Sequence, residues 1–273
     1  MPEDRVSLSA PQPQAVPAAP VSAPEEVPTD LVPLPSEGRA YPPGHPLHMK
    51  ASVSIRSMTA RDEDILTSRA LLRSGRVVSA LLSSCIADKG IDPDQMLVGD
   101  RNAALIGIRI TGYGPEYPVN ITCPGCGVVV KQSVDLGSLP VKRFPPGLDP
   151  AGSPTFKVTL PTSKRSCTFR LLTGIDEVEL VQTLERGKKQ SVGEALVTGR
   201  LKRQVVELGG ETDPNKLANL VMDMTARDAR WLRKRIDAVT PGVEMKTDFT
   251  CATCGTQGEV EVPLGTDFFW PES

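Results

Sequence analysis

The chain has 273 residues with 31 basic and 33 acidic side chains and a formal net charge of −2, which gives no general electrostatic footprint for binding DNA or RNA. No apolar run approaches the roughly 20 residues that span a bilayer, and the N-terminus lacks the basic and apolar regions of a secretory signal. We therefore expect a protein that folds in a reducing cytosol away from membranes, where paired cysteines are more often metal ligands than disulfides.

The N-terminal segment is rich in proline. Residues 1–47 hold 12 of the 26 prolines, with Ala, Ser and Glu between them. Such a composition buries too little apolar surface to offset the entropy lost on ordering. We predict a disordered or extended arm over residues 1–47, and the rest of the chain is long enough to form a core.

A helical subdomain is predicted over residues 48–112. Thr59 is followed three residues later by Asp62 within the motif MTARD, a pattern typical of a helix N-terminus with a capping box. The helix that begins there should end near Gly75, because glycine readily terminates helices. A second helix should end at Gly90.

The segment GDRNAALIGIRITGYG predicts a third helix. Its first polar residues are interpreted as a helix N-terminus, with Asp100 or Asn102 as the N-cap and Arg101 in a salt bridge. The chain's two histidines, His45 and His48, lie among prolines, which argues against a positioned general base. Phosphate-binding loops, HExxH and GxSxG are absent from the sequence. We predict that the protein is not an enzyme.

Four of the six cysteines form two CxxCG pairs, Cys123 with Cys126 and Cys251 with Cys254. A CxxC turn directs two thiolates at one point, and two such turns complete the tetrahedral ligand set that Zn²⁺ prefers. We predict one structural zinc ion held by all four, which leaves no open position for catalysis; redox dithiols are the alternative. The two other cysteines are interpreted as small apolar residues in a helix and in a strand: Cys85 and Cys167.

The two cysteine pairs begin related segments that lie 128 positions apart. Leu136 follows Cys123 by thirteen residues, as Leu264 follows Cys251, and strand-like runs flank each pair and predict a β-hairpin. An ordinary zinc ribbon separates its cysteine pairs by about 15–20 residues, so a whole subdomain must be inserted here. We predict an α+β fold in which helical subdomains surround a discontinuous four-Cys zinc ribbon. The two ribbon halves are predicted at residues 113–145 and 241–273.

Residues 146–240 are predicted to form the inserted subdomain, a hairpin followed by helices. FKVTLP and CTFRLL alternate in the manner of an antiparallel pair. Thr173 should cap a helix, Ser191 should open the next, which continues through Leu208, and Thr225 in a second MTARD motif should cap the last.

Three of the eleven aromatic residues form the tripeptide Phe268, Phe269 and Trp270 close to the C-terminus. One interpretation makes them anchors that bind a groove on a partner protein. The other is that they fold back and close the core beside the ribbon, since a zinc hairpin alone has little apolar cover. They are the candidate partner-binding residues.

Several segments occur in an order that resembles the phage base plate protein family of the T-even hub type. They are LPSEGRAYPPG, MTARDEDILTS, GDRNAALIGIRITGYG with CPGCG, LLTGIDE, and FxCxxCG ending in FFWP, over about residues 34–271. The resemblance implies a structural or assembly component of the central hub of a contractile tail. Its partners would be other baseplate, hub, tube or tape-measure proteins, with copies arranged symmetrically around the tail axis. It would occur in the host cytoplasm during assembly, and in the virion tail if retained.

Two other functions are also compatible with the sequence. The protein could be a transient assembly chaperone that is absent from the finished particle. It could also be a zinc-ribbon protein that binds nucleic acid, but the cysteine pairs have few basic neighbours beyond Lys131 and Lys246. We therefore expect no nucleic-acid partner.

Overall fold

The computed structural model describes residues 29–143, 155–186, 192–262 and 268–269. The helices are α1 Ala60–Thr67, α2 Arg69–Ser74, α3 Val77–Cys85, α4 Val98–Tyr113, α5 Gly174–Arg186, α6 Val192–Gln204, α7 Pro214–Met222 and α8 Ala226–Val239. The strands are β1 Thr29–Pro33, β2 Ser52–Arg56, β3 Glu116–Thr122, β4 Val129–Asp135, β5 Val141–Lys142, β6 Thr155–Thr159, β7 Ser166–Arg170, β8 Val205–Leu208, β9 Gly242–Val243, β10 Lys246–Thr250 and β11 Gln257–Glu261. Helices and small antiparallel sheets are mixed, which confirms the predicted α+β class. Among the described helices, none has the length and apolar character needed to cross a bilayer.

The described chain consists of two structurally similar halves. We call them the first half and the second half, within residues 29–143 and 155–269. Each opens with an antiparallel hairpin, β1–β2 or β6–β7, and each closes with a hairpin that carries one cysteine pair, β3–β4 or β10–β11. In both opening hairpins the second strand ends in an arginine paired with a threonine, Arg56 with Thr29 and Arg170 with Thr155. The repeat therefore extends beyond the cysteine segments in which the sequence revealed it.

An Arg–Thr–Asp cluster joins the opening hairpin of the first half to α1. The two terminal nitrogens of Arg56 donate to the Asp62 carboxylate at 2.7 and 3.0 Å, and the backbone N–H of Thr59 donates to it at 2.7 Å. Burial raises the pKa of Asp62, but hydrogen bonds from Arg56, Ser84 and Thr59 outweigh this and hold the pKa well below its ordinary value. The predicted capping of this helix is confirmed.

The second half repeats this cluster 114 positions later. Both terminal nitrogens of Arg170 donate to Asp176 at 2.6 Å, and the backbone N–H of Thr173 donates to the same carboxylate at 2.9 Å. Thr173 thus begins α5 as predicted. The sequence that the two clusters share is only R-x₂-T-x₂-D. The second MTARD motif does not take part in this cluster: it lies at the start of α8, where Thr225 Oγ1 accepts from the Asp228 N–H at 3.2 Å.

The long helices α4 and α8 correspond with a shift of 128 positions. Each has a fully buried aspartate as its third residue, Asp100 or Asp228. Each carboxylate accepts a backbone N–H from the loop of its own opening hairpin, Ser36 N–H at 2.9 Å in the first half and Thr162 N–H at 2.7 Å in the second. A carboxylate near a helix N-terminus is also favoured by the helix dipole. Each half therefore locks its hairpin loop onto its long helix in the same way.

The N-cap predicted within Asp100–Asn102 is wrong, because α4 begins at Val98. The Asp100 carboxylate does not cap the helix and instead accepts from the Tyr41 hydroxyl at 2.7 Å. The salt bridge predicted for Arg101 is present, with Asp94 at 3.4 Å.

The arm predicted over residues 1–47 is too long at its C-terminal end. Strand β1 lies inside it and pairs with β2, while Tyr41 and Leu47 are buried in the core. The reason is tertiary: Asp100 supplies buried acceptors for this proline-containing loop, a contact that composition does not reveal. The rest of the predicted arm, residues 1–28, lies outside the described residues.

Two predicted helices differ from the structure. The helix expected to end near Gly75 is divided at Ser68, whose extended backbone separates α1 from α2. The helix expected to continue through Leu208 ends at Gln204, and residues from Val205 form β8, which pairs with β7 to complete a three-stranded sheet. The free edge of β7 and the β-branched pair at the start of β8 favour the strand. Helix α7 was not predicted.

One contiguous core extends through both halves, and α4 contributes Leu105, Ile106 and Ile108 to it. Two glycines let neighbouring segments approach this helix closely. A Cβ on Gly99 would lie 1.9 Å from the Pro241 carbonyl oxygen, and one on Gly107 would lie 2.3 Å from Val32 Cγ2. Strand β5 of the first half pairs with β9 of the second, so the halves also share a short ladder.

We expect Asp62→Asn to lower the free energy of unfolding by about 2 kcal/mol, because the amide cannot satisfy both N–H donors of the partly buried Arg56 guanidinium. The pKa of Asp62 is lowered in the fold, so its contribution is present above the ordinary aspartate pKa and is lost as pH falls below about 4. Urea unfolding of the parent and the variant should therefore converge in acid. Asp64→Asn, at an exposed position of the same helix, is the matched control, and an equal loss in both variants would contradict the assignment.

Candidate metal centre

The two cysteine hairpins have the same strand register. The ladder of β3–β4 ends at the pair Thr122 and Val129, and that of β10–β11 ends at Thr250 and Gln257, each 128 positions later. In both hairpins the cysteine turn directly follows the last ladder pair. The repeat inferred from the sequence is thus a repeat of hydrogen-bonded structure.

The turns themselves also match. The glycine that ends each CxxCG motif, Gly127 or Gly255, has a φ of 74° or 73°, in the left-handed region that glycine adopts without steric cost. Its N–H donates at 2.9 Å to the carbonyl oxygen of the first cysteine, Cys123 or Cys251. This bend turns both thiols of a pair toward the same side.

The four cysteine sulfurs meet at one point between the hairpins, all within 4.8 Å of one another. Cys123 Sγ lies 3.6 Å from Cys254 Sγ, and Cys126 Sγ lies 3.7 Å from Cys251 Sγ. A disulfide would require about 2.05 Å, whereas the edge of a tetrahedron with Zn–S bonds of about 2.3 Å is about 3.8 Å. The predicted grouping of these cysteines is confirmed, and the spacing is compatible with a metal ion bound by residues of both halves.

The electrostatics of the cluster also favour a cation. The Thr256 hydroxyl and backbone N–H lower the pKa of Cys254 to about 6. A hydrogen bond from Val128 lowers the pKa of Cys126, but the neighbouring cysteines outweigh it and raise that pKa to about 12. Four adjacent sulfurs resist joint ionisation because like charges repel, and a bound cation removes that obstacle.

Other close contacts also join the two cysteine hairpins. The Gln132 side-chain amide donates to the Asp248 carbonyl oxygen at 2.9 Å. Gly125 faces Thr256 so closely that a Cβ at position 125 would lie 2.3 Å from the threonine Oγ1. The tips of the hairpins therefore touch at this glycine.

Two of the three candidate partner-binding residues lie in the core. Phe268 is 2% exposed and packs edge to face on Tyr117 with ring centroids 5.1 Å apart, and Phe269 is 9% exposed and packs on Phe268 at 5.0 Å. Their burial leaves little ring surface for a partner groove, so the structure favours the fold-back interpretation for these two. The two rings are buried because the first cysteine hairpin, β3–β4, has little apolar cover of its own, and the rings of Phe268 and Phe269 complete that cover. Trp270 lies outside the described residues.

Arg109 holds this C-terminal segment in place. Its side chain is 1% exposed. Its Nε donates to the Phe268 carbonyl oxygen at 2.8 Å, and its terminal nitrogens donate to the carbonyl oxygens of Gly114 at 2.9 Å and Glu116 at 3.1 Å. Sequence analysis missed this residue, although an arginine inside the apolar run AALIGIRITGY was a signal. Long-range pairing to the C-terminal segment could not be inferred from it.

The remaining singled-out side chains have structural surroundings. Cys85 in α3 and Cys167 in β7 are buried, and burial raises their thiol pKa values to about 11 and about 12. His45 stacks on Tyr41 with ring centroids 4.5 Å apart, and His48 Nδ1 lies 2.6 Å from the Tyr41 carbonyl oxygen. The interpretation of both cysteines as apolar residues fits this placement.

Comparison with known proteins gives one family. A family model described as T4 bacteriophage base plate protein matches residues 32–151, which is less than half of the chain and corresponds to the first half with its cysteine pair. The resemblance to phage base plate proteins is thereby confirmed, and it supports a structural component of a phage tail. Neither the curated proteins nor the solved structures give a match.

We expect Arg109→Met to release the C-terminal segment, because methionine keeps much of the apolar volume and none of the three hydrogen bonds. Leaving three partly buried carbonyl oxygens unpaired should cost about 2–4 kcal/mol. Limited proteolysis followed by mass spectrometry should show cleavage after residue 262 at lower protease concentrations than in the parent. Arg69→Met, on the exposed face of α2, is the control; an unchanged cleavage pattern in Arg109→Met would contradict the anchoring role.

Proposed function

We propose that this chain is a non-enzymatic structural or assembly component of a contractile-tail baseplate, located in the central hub region and acting through protein–protein contacts. The observation that carries the proposal is the match of residues 32–151 to the base plate family. Its expected locations are the host cytoplasm during assembly and the tail baseplate if it is retained. Its partners would be neighbouring hub, tube or tape-measure proteins.

The use of buried polar groups supports a scaffold. The buried carboxylates of Asp62, Asp100 and Asp176 all accept hydrogen bonds that fix a loop or a helix N-terminus. Each of the three nitrogens of the buried Arg109 guanidinium donates to a backbone carbonyl oxygen. These groups hold the chain together.

We also propose that the four cysteines bind one structural Zn²⁺ ion. A donor set of four thiolates is typical of structural zinc and leaves no coordination position for substrate. Cys123 and Cys126 would supply two ligands from the first half, and Cys251 and Cys254 two from the second. The ion would link positions more than a hundred residues apart, and its binding free energy would contribute to folding.

The zinc assignment predicts one equivalent of metal in protein purified without chelators. Cys126→Ser alters an exposed ligand, so the fold should survive while zinc falls well below one equivalent and the free energy of unfolding drops by at least about 3 kcal/mol. Mass spectrometry of the metal content and urea unfolding measure both quantities. Cys167→Ala, which changes a buried cysteine outside the cluster, should keep its zinc. Full zinc occupancy in Cys126→Ser would contradict the assignment.

The baseplate assignment predicts a stable complex when the chain is co-expressed with hub or tape-measure proteins from the same tail gene cluster. The complex should persist through affinity capture and size-exclusion chromatography. Mass spectrometry of purified particles then separates a permanent subunit, which is present, from an assembly chaperone, which is absent. A chain that stays monomeric beside every tail protein would argue against either role.

A further inference from the structure

One face of helix α8 combines positive charge with an exposed tryptophan. The side chains of Arg227, Arg230, Lys234 and Arg235 are exposed, and none has a carboxylate within 4.0 Å among the side chains that the structure describes. Trp231 lies among them and is 36% exposed. The chain as a whole carries a net charge of −2, so this face is a local departure from its overall charge.

A groove of about 520 Å³ lies between this face and the opening hairpin of the second half. Its floor is largely apolar and its rim is cationic. The lining residues are Val158 and Thr159 on β6 and Trp231, Lys234, Arg235 and Ala238 on α8. We call it the α8 groove.

The equivalent place in the first half is closed. Strand β1 corresponds to β6 with a shift of 126 positions, so Val32 corresponds to Val158. Helix α4 corresponds to α8 with a shift of 128 positions, so Gly107 corresponds to Arg235. A Cβ on Gly107 would lie only 2.3 Å from Val32 Cγ2, which shows how closely strand and helix pack there. A long arginine side chain at that position prevents such packing. The contact between strand and helix that is closed in the first half is therefore open in the second half. The apolar floor of the α8 groove is left uncovered as a result.

The chemistry of the groove selects an extended acidic segment. Proline-rich segments favour the extended polyproline II conformation and dock in aromatic-lined grooves at low entropic cost, and carboxylates complement the cationic rim. Residues 1–28 of this chain have seven prolines, four acidic residues and one basic residue. Within them, Glu3 and Asp4 follow Pro2 and lie at least 25 residues before Thr29, where β1 begins. That length of chain spans up to roughly 80 Å when extended, so the reach of this pair is not limiting.

We propose that the α8 groove binds the acidic, proline-rich segment of residues 1–28. Prolines of the segment would cover Trp231, and its carboxylates would pair with Lys234 and Arg235. The proposal rests on the groove and on charge complementarity, and it stands whether or not the chain acts in a baseplate. It assigns a role to a segment that the proposed function does not explain.

Fluorine NMR of the full chain labelled with 5-fluorotryptophan tests the proposal, with the Trp231 resonance assigned by its loss in Trp231→Phe. In the parent at low salt, this resonance should be protected from broadening by a soluble gadolinium chelate. The charge reversals Lys234→Glu with Arg235→Glu, or Glu3→Lys with Asp4→Lys, should each raise the broadening at least about threefold, because each removes the complementary charge. Combining all four substitutions swaps the charges and should restore protection.

The pair Arg69→Glu and Arg73→Glu on α2 changes the net charge equally at exposed positions and should leave the Trp231 resonance unaffected. Equal broadening in the parent and in both charge reversals would overturn the proposal. So would a failure of the charge swap to restore protection. A Trp231 resonance that responds to a 20-nucleotide single-stranded DNA but not to the substitutions at Glu3 and Asp4 would instead identify a nucleic-acid site.

Discussion

The meeting of four sulfurs between two hairpins is the contact on which the account of this molecule depends. Each hairpin carries half of a ligand set, and neither half can enclose an ion by itself, because a CxxC pair supplies only two of the four ligands that a structural zinc requires. In the folded chain, the sulfurs of both hairpins lie within 4.8 Å of one another. A bound ion would therefore couple the folding of the first half to that of the second.

The two halves share the contacts that connect their helices and hairpins, and they differ in the surfaces that they expose. The Arg–Thr–Asp cluster, the buried aspartate at the third position of the long helix and the cysteine hairpin all occur twice with matching hydrogen bonds. The loop of the opening hairpin, in contrast, is long in the first half and short in the second. Helix α4 is enclosed by the core, whereas α8 exposes a cationic face with Trp231. The same set of contacts thus holds each half together, and the second half is free to present a distinct surface.

Local patterns determined which features the sequence could predict. The cysteine hairpins and the caps at Thr59, Thr173 and Thr225 are each specified within about ten residues, and the structure has them. The features that were missed depend on distant partners: the ordering of the loop around Tyr41 by Asp100, the strand β8 added to the edge of β7, and the anchoring of Phe268 by Arg109. The full repeat was hidden for a related reason. The number of positions between corresponding residues of the two halves is 126 at the first strand of the opening hairpin, 114 at the Arg–Thr–Asp cluster and 128 at the long helix. The identical MTARD motifs, moreover, occupy places that do not correspond.

The most direct test of the central contact is X-ray absorption spectroscopy at the zinc edge of the full chain purified without chelators. The account predicts a single shell of four sulfur ligands at about 2.3 Å and no nitrogen or oxygen ligands. A shell of two sulfurs completed by nitrogen or oxygen would show that one hairpin binds the metal without the other, and the proposed link between the halves would not exist.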